Sequence, residues 1–290
     1  MEFYLTALQM SLCLGAMAMG IFITMKIFNI PDITTDGSYT LGATVSALLL
    51  THHTSPYIVM PASMLAGAIA GTFTGLIHTK LKIDALLSGI LVMTGLYSIN
   101  LMIMGRSNIP LINISSIFSS PRFFENDIYN QLVTGIIIIG IIAAAITWLL
   151  KTDFGIAMRA TGNSATMTRA LGVNNDRMKI TGLAMANALT ALSGSLVAQY
   201  QGFADINMGI GIVITGLGSV LIGDALRLWL NVNKIALQVL LVIFGSIVFQ
   251  MVLAVTLAAG IDYSVLKLVT ALFVLLIVAL PRVSGQLRNG

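Results

Sequence analysis

The chain has 290 residues, of which 57% are hydrophobic and only 9% charged, with a formal net charge of +4. Soluble domains carry about 25% charged residues, so this composition, with a mean hydropathy of +0.95, excludes a water-soluble protein and identifies an integral membrane one. The positive charge is not a nucleic-acid signature, because the basic residues fall in membrane-flanking loops.

A spanning helix needs about 20 apolar residues. By that measure the spans fall at 4–25, 38–51, 57–77, 85–104, 128–150, 180–200, 209–226, 235–258 and 265–280. The first run follows "MEFYLTALQMSL", which lacks the basic region of a signal peptide, so it is expected to be retained. It holds Cys13, a lone thiol expected to act as a small apolar filler.

"NIPDITTDGSYTLGA", Asn29 to Ala43, separates the first two runs and is polar. Polar non-helical backbone at membrane depth requires burial in protein or a wet cavity. Two readings stay open: the segment dips into the bundle with Thr35, Asp36 and Ser38 facing a pathway, or it forms a turn outside with Asp36 capping the next helix. The second run is short, so it is expected to be tilted, broken or shielded by protein.

Gly67, Gly71 and Gly75 repeat every fourth residue in the third run and share one helical face, where a neighbour can approach closely. His52, His53 and His78 read as membrane-boundary residues, not as a metal site. The stretch from Gly105 to Asp127 is either a short amphipathic element or an ordinary connection. The seventh run carries five glycines between Gly209 and Gly223, which predicts a kink or close backbone contacts and makes the count eight or nine spans.

Between the fifth and sixth runs lies "RATGNSATMTRALGVNNDR", Arg159 to Arg177. Asn163 is expected to cap a helix of about two turns, and Gly172 to end it in the left-handed conformation. Asn174, Asn175 and Asp176 offer a cap for the next span. A passive loop could have this composition; the functional reading is a rigid protrusion fitting a groove in a partner. With the N-terminus outside and nine spans, 12 of the 15 basic residues lie inside and only Arg106, Arg122 and Lys267 outside, so the protrusion is cytoplasmic.

No phosphate loop, HExxH or GxSxG is present. No Asp/Glu/His chain of the kind proton relays use lies within the spans. Energy is therefore expected to enter from another polypeptide, and Asn100, Asn187 and Gln199 join Thr35, Asp36 and Ser38 as pathway candidates. Each of these can equally serve interhelical hydrogen bonding, worth about 0.6 kcal/mol.

"FGIAMRATGNSATMTRALGVNNDRMKITGLAMANALTALSGSLVAQYQG", Phe154 to Gly202, resembles the coupling region of permeases in the branched-chain amino acid and sugar group of ABC importers. Gly155, Arg159, Ala160, Gly162, Ala170, Gly172, Val173 and Asn174 fit the family pattern, while spacing around Asn163 and Arg169 shifts by a residue. With "NIPDITTDGSYTLGATV" the likeness narrows to a subgroup commonly assigned to aromatic amino acids such as tryptophan or tyrosine.

The resemblance implies an all-α polytopic permease of the vitamin B12-importer type, a single domain over 1–290 with a cytoplasmic coupling segment at 151–179. It implies a second permease copy, cytoplasmic ABC ATPase subunits, an extracytoplasmic solute-binding protein and a bacterial cytoplasmic membrane. It further implies no cofactor on this chain, with ATP and Mg on the ATPase. Arg159, Gly162, Asn163, Met167, Arg169, Ala170, Leu171, Gly172, Asn174 and Arg177 would then make the ATPase contact. A secondary transporter or channel without an ATPase is the other class.

Overall fold

The computed structural model describes residues 2–119, 124, 126–260, 265–266 and 268–277. The end of the ninth predicted span and the C-terminal stretch, with Arg122, Lys267, Arg282 and Arg288, lie outside the described residues.

α1 (Glu2–Phe22) runs on into a π-helical turn, Ile23–Ile27. α2 (Thr34–Thr51), α3 (Pro56–Lys80) and α4 (Ala85–Met104) follow. After a short strand, β1 (Asn108–Pro110), come α5 (Asp127–Lys151), α6 (Asp153–Asn163), α7 (Ala165–Ala170) and α8 (Asn175–Gln201). A second strand, β2 (Phe203–Asp205), precedes α9 (Ile212–Trp229) and α10 (Ile235–Ala258). A shorter apolar helix covers Leu268–Ile277.

Seven described helices are long and apolar enough to cross a membrane: α1 with its π turn, α3, α4, α5, α8, α9 and α10. α2 is shorter and rich in Thr, Ser and Gly, and it is buried along most of its length. A helix shielded by protein does not need a lipid-compatible surface, which is why its run looked short.

α1, α2 and α8 form the centre. α8 packs against α3, α2 and α1, and α10 packs against α9 and α1. Small residues and hydrogen bonds make this possible. A Cβ on Gly67 or Gly71 would overlap the backbone of α8 at Asn187 or Leu183, and one on Gly75 would lie 2.8 Å from Ile180 Cα. The glycine face of α3 therefore seats that helix on α8. Ser193 Oγ donates to the Cys13 carbonyl at 2.8 Å, and Ser195 Oγ donates to Ser46 Oγ at 3.0 Å. Cys13 is buried among apolar neighbours. Around this centre α3, α4, α5 and α10 turn residues such as Phe73, Leu91, Ile141 and Phe244 outward.

The all-helical expectation misses one feature. β1 and β2 pair antiparallel, Asn108 opposite Asp205 and Pro110 opposite Phe203. The Leu111 amide donates to the Gly202 carbonyl at 2.8 Å, and the Ile117 amide to Gln199 Oε1 at 3.0 Å. The connection after α4 thus begins as a strand tied to the end of α8, not as an amphipathic element. α9 starts at Ile212, three residues after the predicted boundary. Its glycines make close contacts, Gly218 on the Phe249 ring and Gly223 at 2.8 Å from the Leu241 carbonyl oxygen, within one continuous helix.

Candidate functional site

The break between α1 and α2 enters the bundle. The π turn closes with Phe28 and Ile30 amides donating back to the Ile23 and Thr24 carbonyls at 3.2 and 2.9 Å. Asp32 is then buried, and its Oδ1 accepts from the Thr34 amide at 2.9 Å to start α2. Its Oδ2 accepts from Asn187 Nδ2 at 2.7 Å, and Asn187 Oδ1 accepts from Ser38 Oγ at 2.7 Å. Asn187 falls near the middle of α8, so this non-helical backbone sits deep in the bundle. Asp32 belongs to the connection outside the spanning helices. Burial pushes its carboxyl above the ordinary carboxylate range, and the bonds from Thr34 and Asn187 oppose that rise.

Thr35 and Ser38 are fully buried, with Thr35 Oγ1 donating to the Asp32 carbonyl at 3.2 Å. Gln199 is held by Ile117, Ser46 and Ser195 near the far end of α8. Ser38 and Gln199 bind elements to one another, Thr35 bonds back to its own helix start, and none of the three lines the cavity described next.

Asp36 does something else. It stands in the first turn of α2, yet its carboxylate accepts from the amides of Gly211 and Val213 at 2.8 and 2.9 Å. It therefore caps α9, whose own N-cap residue is a glycine without a side-chain acceptor. Asp36 does not cap α2, the alternative expected for it: the N-cap of that helix is Ile33, with no side-chain bond, and the first helical amide, Thr34, donates to Asp32. A cavity of about 320 Å³ opens beside this junction. Asp36, Thr40, Thr94 and Asn100 give it polar points; Met93, Tyr97, Ile206 and Ile210 give it apolar walls. Asn100 Nδ2 donates to the Gly37 carbonyl at 3.3 Å, while its buried Oδ1 has no partner among the described residues. Of the six pathway candidates, the structure brings Asp36 and Asn100 together at this cavity.

The segment from Arg159 to Arg177 divides into two helices. Asn163 is the last residue of α6, not a cap, and the cap of α7 is Ser164, whose Oγ accepts from the Met167 amide at 3.4 Å. The reason is α6 itself, an 11-residue helix capped by Thr152, which extends helical backbone through Asn163. Gly172 takes a φ of +84° after α7, and Asn174 Oδ1 accepts from the Arg177 amide at 3.1 Å to start α8. Thr168, buried under α7, donates to Asn175 Oδ1 at 2.9 Å, and Asn175 Nδ2 donates to the Ala165 carbonyl at 2.5 Å. α7 is thus clamped to the start of α8.

Met167 on α7 and Leu171, the residue at its C-terminal cap, are one turn apart and 63% and 70% exposed. Arg169, Ala170, Gly172, Asn174 and Arg177 are exposed on the same protrusion. Arg159 and Asn163 face elsewhere, into a cavity with Lys26, Asp224 and Arg227. Gly162 lies against α1: a Cβ there would overlap the Ile27 carbonyl oxygen. Among the described residues no group of three or more His, Cys, Asp or Glu is arranged to hold a metal.

The family model for the permease component of branched-chain amino acid transport systems matches residues 3–280. The chain belongs to this family. Over 285 residues this permease is 39% identical to a tyrosine transport system permease protein of Clostridioides difficile strain R20291, covering 98% of the chain and 93% of that protein. An uncharacterised protein of Rickettsia prowazekii strain Madrid E is 35% identical to the permease over 291 residues, 99% of each chain. A structure described as an inward-facing metal-chelate-type ABC transporter matches 93% of the permease and 81% of its own chain with a TM-score of 0.50. At 14% identity that likeness shows the helical fold alone.

Sequence reasoning missed Asp32, the π turn and the cluster of Lys26, Asp224 and Arg227. Asp32 carried a signal, a carboxylate two residues before a Thr-Thr helix start. The cluster carried none, because Lys26 and Asp224 are 198 positions apart.

Proposed function

We propose that this permease subunit belongs to an ATP-driven ABC importer in a bacterial cytoplasmic membrane and passes an amino acid, aromatic or branched-chain. Two copies would enclose the pathway, and an extracytoplasmic binding protein would deliver the solute. ATP, with Mg, would be bound and hydrolysed on a separate ATPase docked at α7.

The observation that carries this reading is the form of α7. An unsupported pair of apolar side chains, Met167 and Leu171, is displayed on a helix capped at both ends and clamped by Thr168 and Asn175. A passive loop needs neither caps nor a clamp; a rigid lever needs both. The lever reaches the bundle by two routes, through α8 and through Gly162 on the π turn of α1. Motion at α7 would therefore bear on the helices that hold Asp32, Asn187 and Asp36.

The solute class rests on the cavity beside Asp36 and on the tyrosine transport relative. Its volume lies at the small end of the roughly 300–1,000 Å³ range of ligand pockets. Met93, Tyr97 and Ile210 suit an apolar side chain, and the free Asn100 oxygen suits an ammonium group. Orientation rests on charge: Lys26, Arg159 and Arg227 share one cavity, and Lys80 pairs with Asp176 at 3.3 Å near α7.

The test is Ala170→Trp and Gly172→Val in the full chain expressed with its genetic neighbours. Uptake of labelled tyrosine and leucine into vesicles should be lost and ATPase co-purification should fall, with membrane insertion unchanged. Normal uptake and an intact complex in both variants would sink the docking assignment.

A further inference from the structure

A second cavity of about 250 Å³ lies where α1, α6, α9 and α10 meet, lined by three cationic side chains and one carboxylate. Lys26 Nζ lies 2.5 Å from Asp224 Oδ2, and Arg227 Nε lies 2.8 Å from Asp224 Oδ1. One carboxylate is thus shared by two cations. Arg159, which also lines the cavity, has no carboxylate within ion-pair distance among the described residues. The cavity carries an excess of two positive charges, with Asn29, Asn163 and Gln238 adding amide groups. α10 begins at Ile235 on its wall with no side chain capping it.

The helix ends that carry Arg227 and Gln238 also carry exposed apolar side chains. Leu228, Trp229, Leu230 and Leu237, at the ends of α9 and α10, are 65%, 81%, 52% and 44% exposed. A Trp and leucines on the same helix ends that supply the lining residues Arg227, Ile235 and Gln238 match a membrane interface, where rings sit at headgroup level. An anion that enters this recess from the membrane would bring its tail with it.

We infer that the Lys26–Arg159–Arg227 cavity holds the phosphate of an anionic phospholipid headgroup, with Arg159 as its unshared cation and the acyl chains along Trp229 and Leu237. This goes beyond the transport reading and requires only that α1, α9 and α10 cross the membrane. A bound phosphate would brace α6 against α9 and α10 and so fix the base of the α7 protrusion.

The full-length chain, purified with the subunits that accompany it, is equilibrated in detergent with equal amounts of dioleoyl phosphatidylglycerol and dioleoyl phosphatidylcholine. Native mass spectrometry reads the adducts. At about fivefold per cation–phosphate contact near a membrane surface, phosphatidylglycerol should be retained at least fivefold over phosphatidylcholine. Arg159→Gln should cut that preference about fivefold, and Arg159→Lys should keep most of it. Asn163→Glu, a carboxylate added at an exposed lining position, should weaken it in the same way. Lys151→Gln, which removes an exposed cation outside the cavity, should leave it unchanged. Equal retention of the two lipids by the wild type, or an unchanged preference in folded Arg159→Gln and Asn163→Glu, would overturn the assignment. So would inorganic phosphate that raises the melting temperature as much as phosphatidylglycerol does, since free phosphate would then be the ligand.

Discussion

Asp36 and Gly211 are 175 positions apart and meet through one hydrogen bond, the Gly211 amide donating to Asp36 Oδ2 at 2.8 Å. With the Val213 amide on Oδ1, the start of α9 is held by a residue of α2. A glycine N-cap leaves the first amides of a helix without a local acceptor, and a buried helix end tolerates that only when another element supplies one. The junction also forms a wall of the cavity of about 320 Å³, so the cap and the candidate solute site share a residue.

Asp36→Ala should therefore lower stability by about 1–3 kcal/mol, since two part-buried amides lose their acceptor. Asp36→Asn keeps one acceptor oxygen and should cost less. Thermal unfolding in detergent checks the order wild type, Asn, Ala; coincident transitions would mean that the α9 amides find other partners.

Asn187 joins Asp32 on α1–α2 to Ser38 on α2 from the middle of α8. Asn187→Leu removes both contacts and leaves the Asp32 carboxylate short of a donor at a buried position. The expected loss is about 3 kcal/mol. Ser38→Ala removes only one hydroxyl and should cost about 1 kcal/mol. Denaturation midpoints of the two variants test the ratio.

Gly162→Val should abolish stable folding or cost about 3 kcal/mol, because the new side chain overlaps the Ile27 carbonyl. Gly140, on α5, has nothing within 4 Å of an added Cβ. Gly140→Ala should stabilise by about 0.5–1 kcal/mol through helix propensity. Expression level and melting temperature, measured side by side, distinguish a packing glycine from an incidental one.

Met167→Ser combined with Leu171→Ser should leave melting within about 0.5 kcal/mol of wild type, since both side chains are exposed. ATPase co-purification and uptake should fall together. Unchanged co-purification would remove these two residues from the docking surface. Asn175→Ala should give the complementary result, reduced uptake with a looser α7, detectable as faster amide exchange over 165–170.

Seven of the nine predicted spans, the shielded second helix, the α3 glycine face and the Gly172 and Asn174 ends of the α7 region could be read from the chain, while the ninth run appears among the described residues only as the shorter helix Leu268–Ile277. Each depends on local terms: apolar length sets a span, small residues at every fourth position set a packing face, and a glycine or short polar side chain sets a helix end. The Asn163 cap was misplaced because two adjacent residues, Asn163 and Ser164, can both cap. Only the length of α6, set by Thr152 and by packing of Gly162 on Ile27, decides between them.

Asp36 marks the other limit. Its position near the start of α2 suggested a local cap or a pathway carboxylate, and the fold makes it the cap of α9 and a wall of the cavity. The β1–β2 ribbon and the Lys26–Asp224–Arg227 cluster are of the same kind. Helix ends, spans and packing stripes arise from interactions within a few residues, so one chain states them. Which side chain answers an unsatisfied amide or charge on a distant helix is decided by where the packed helices stop.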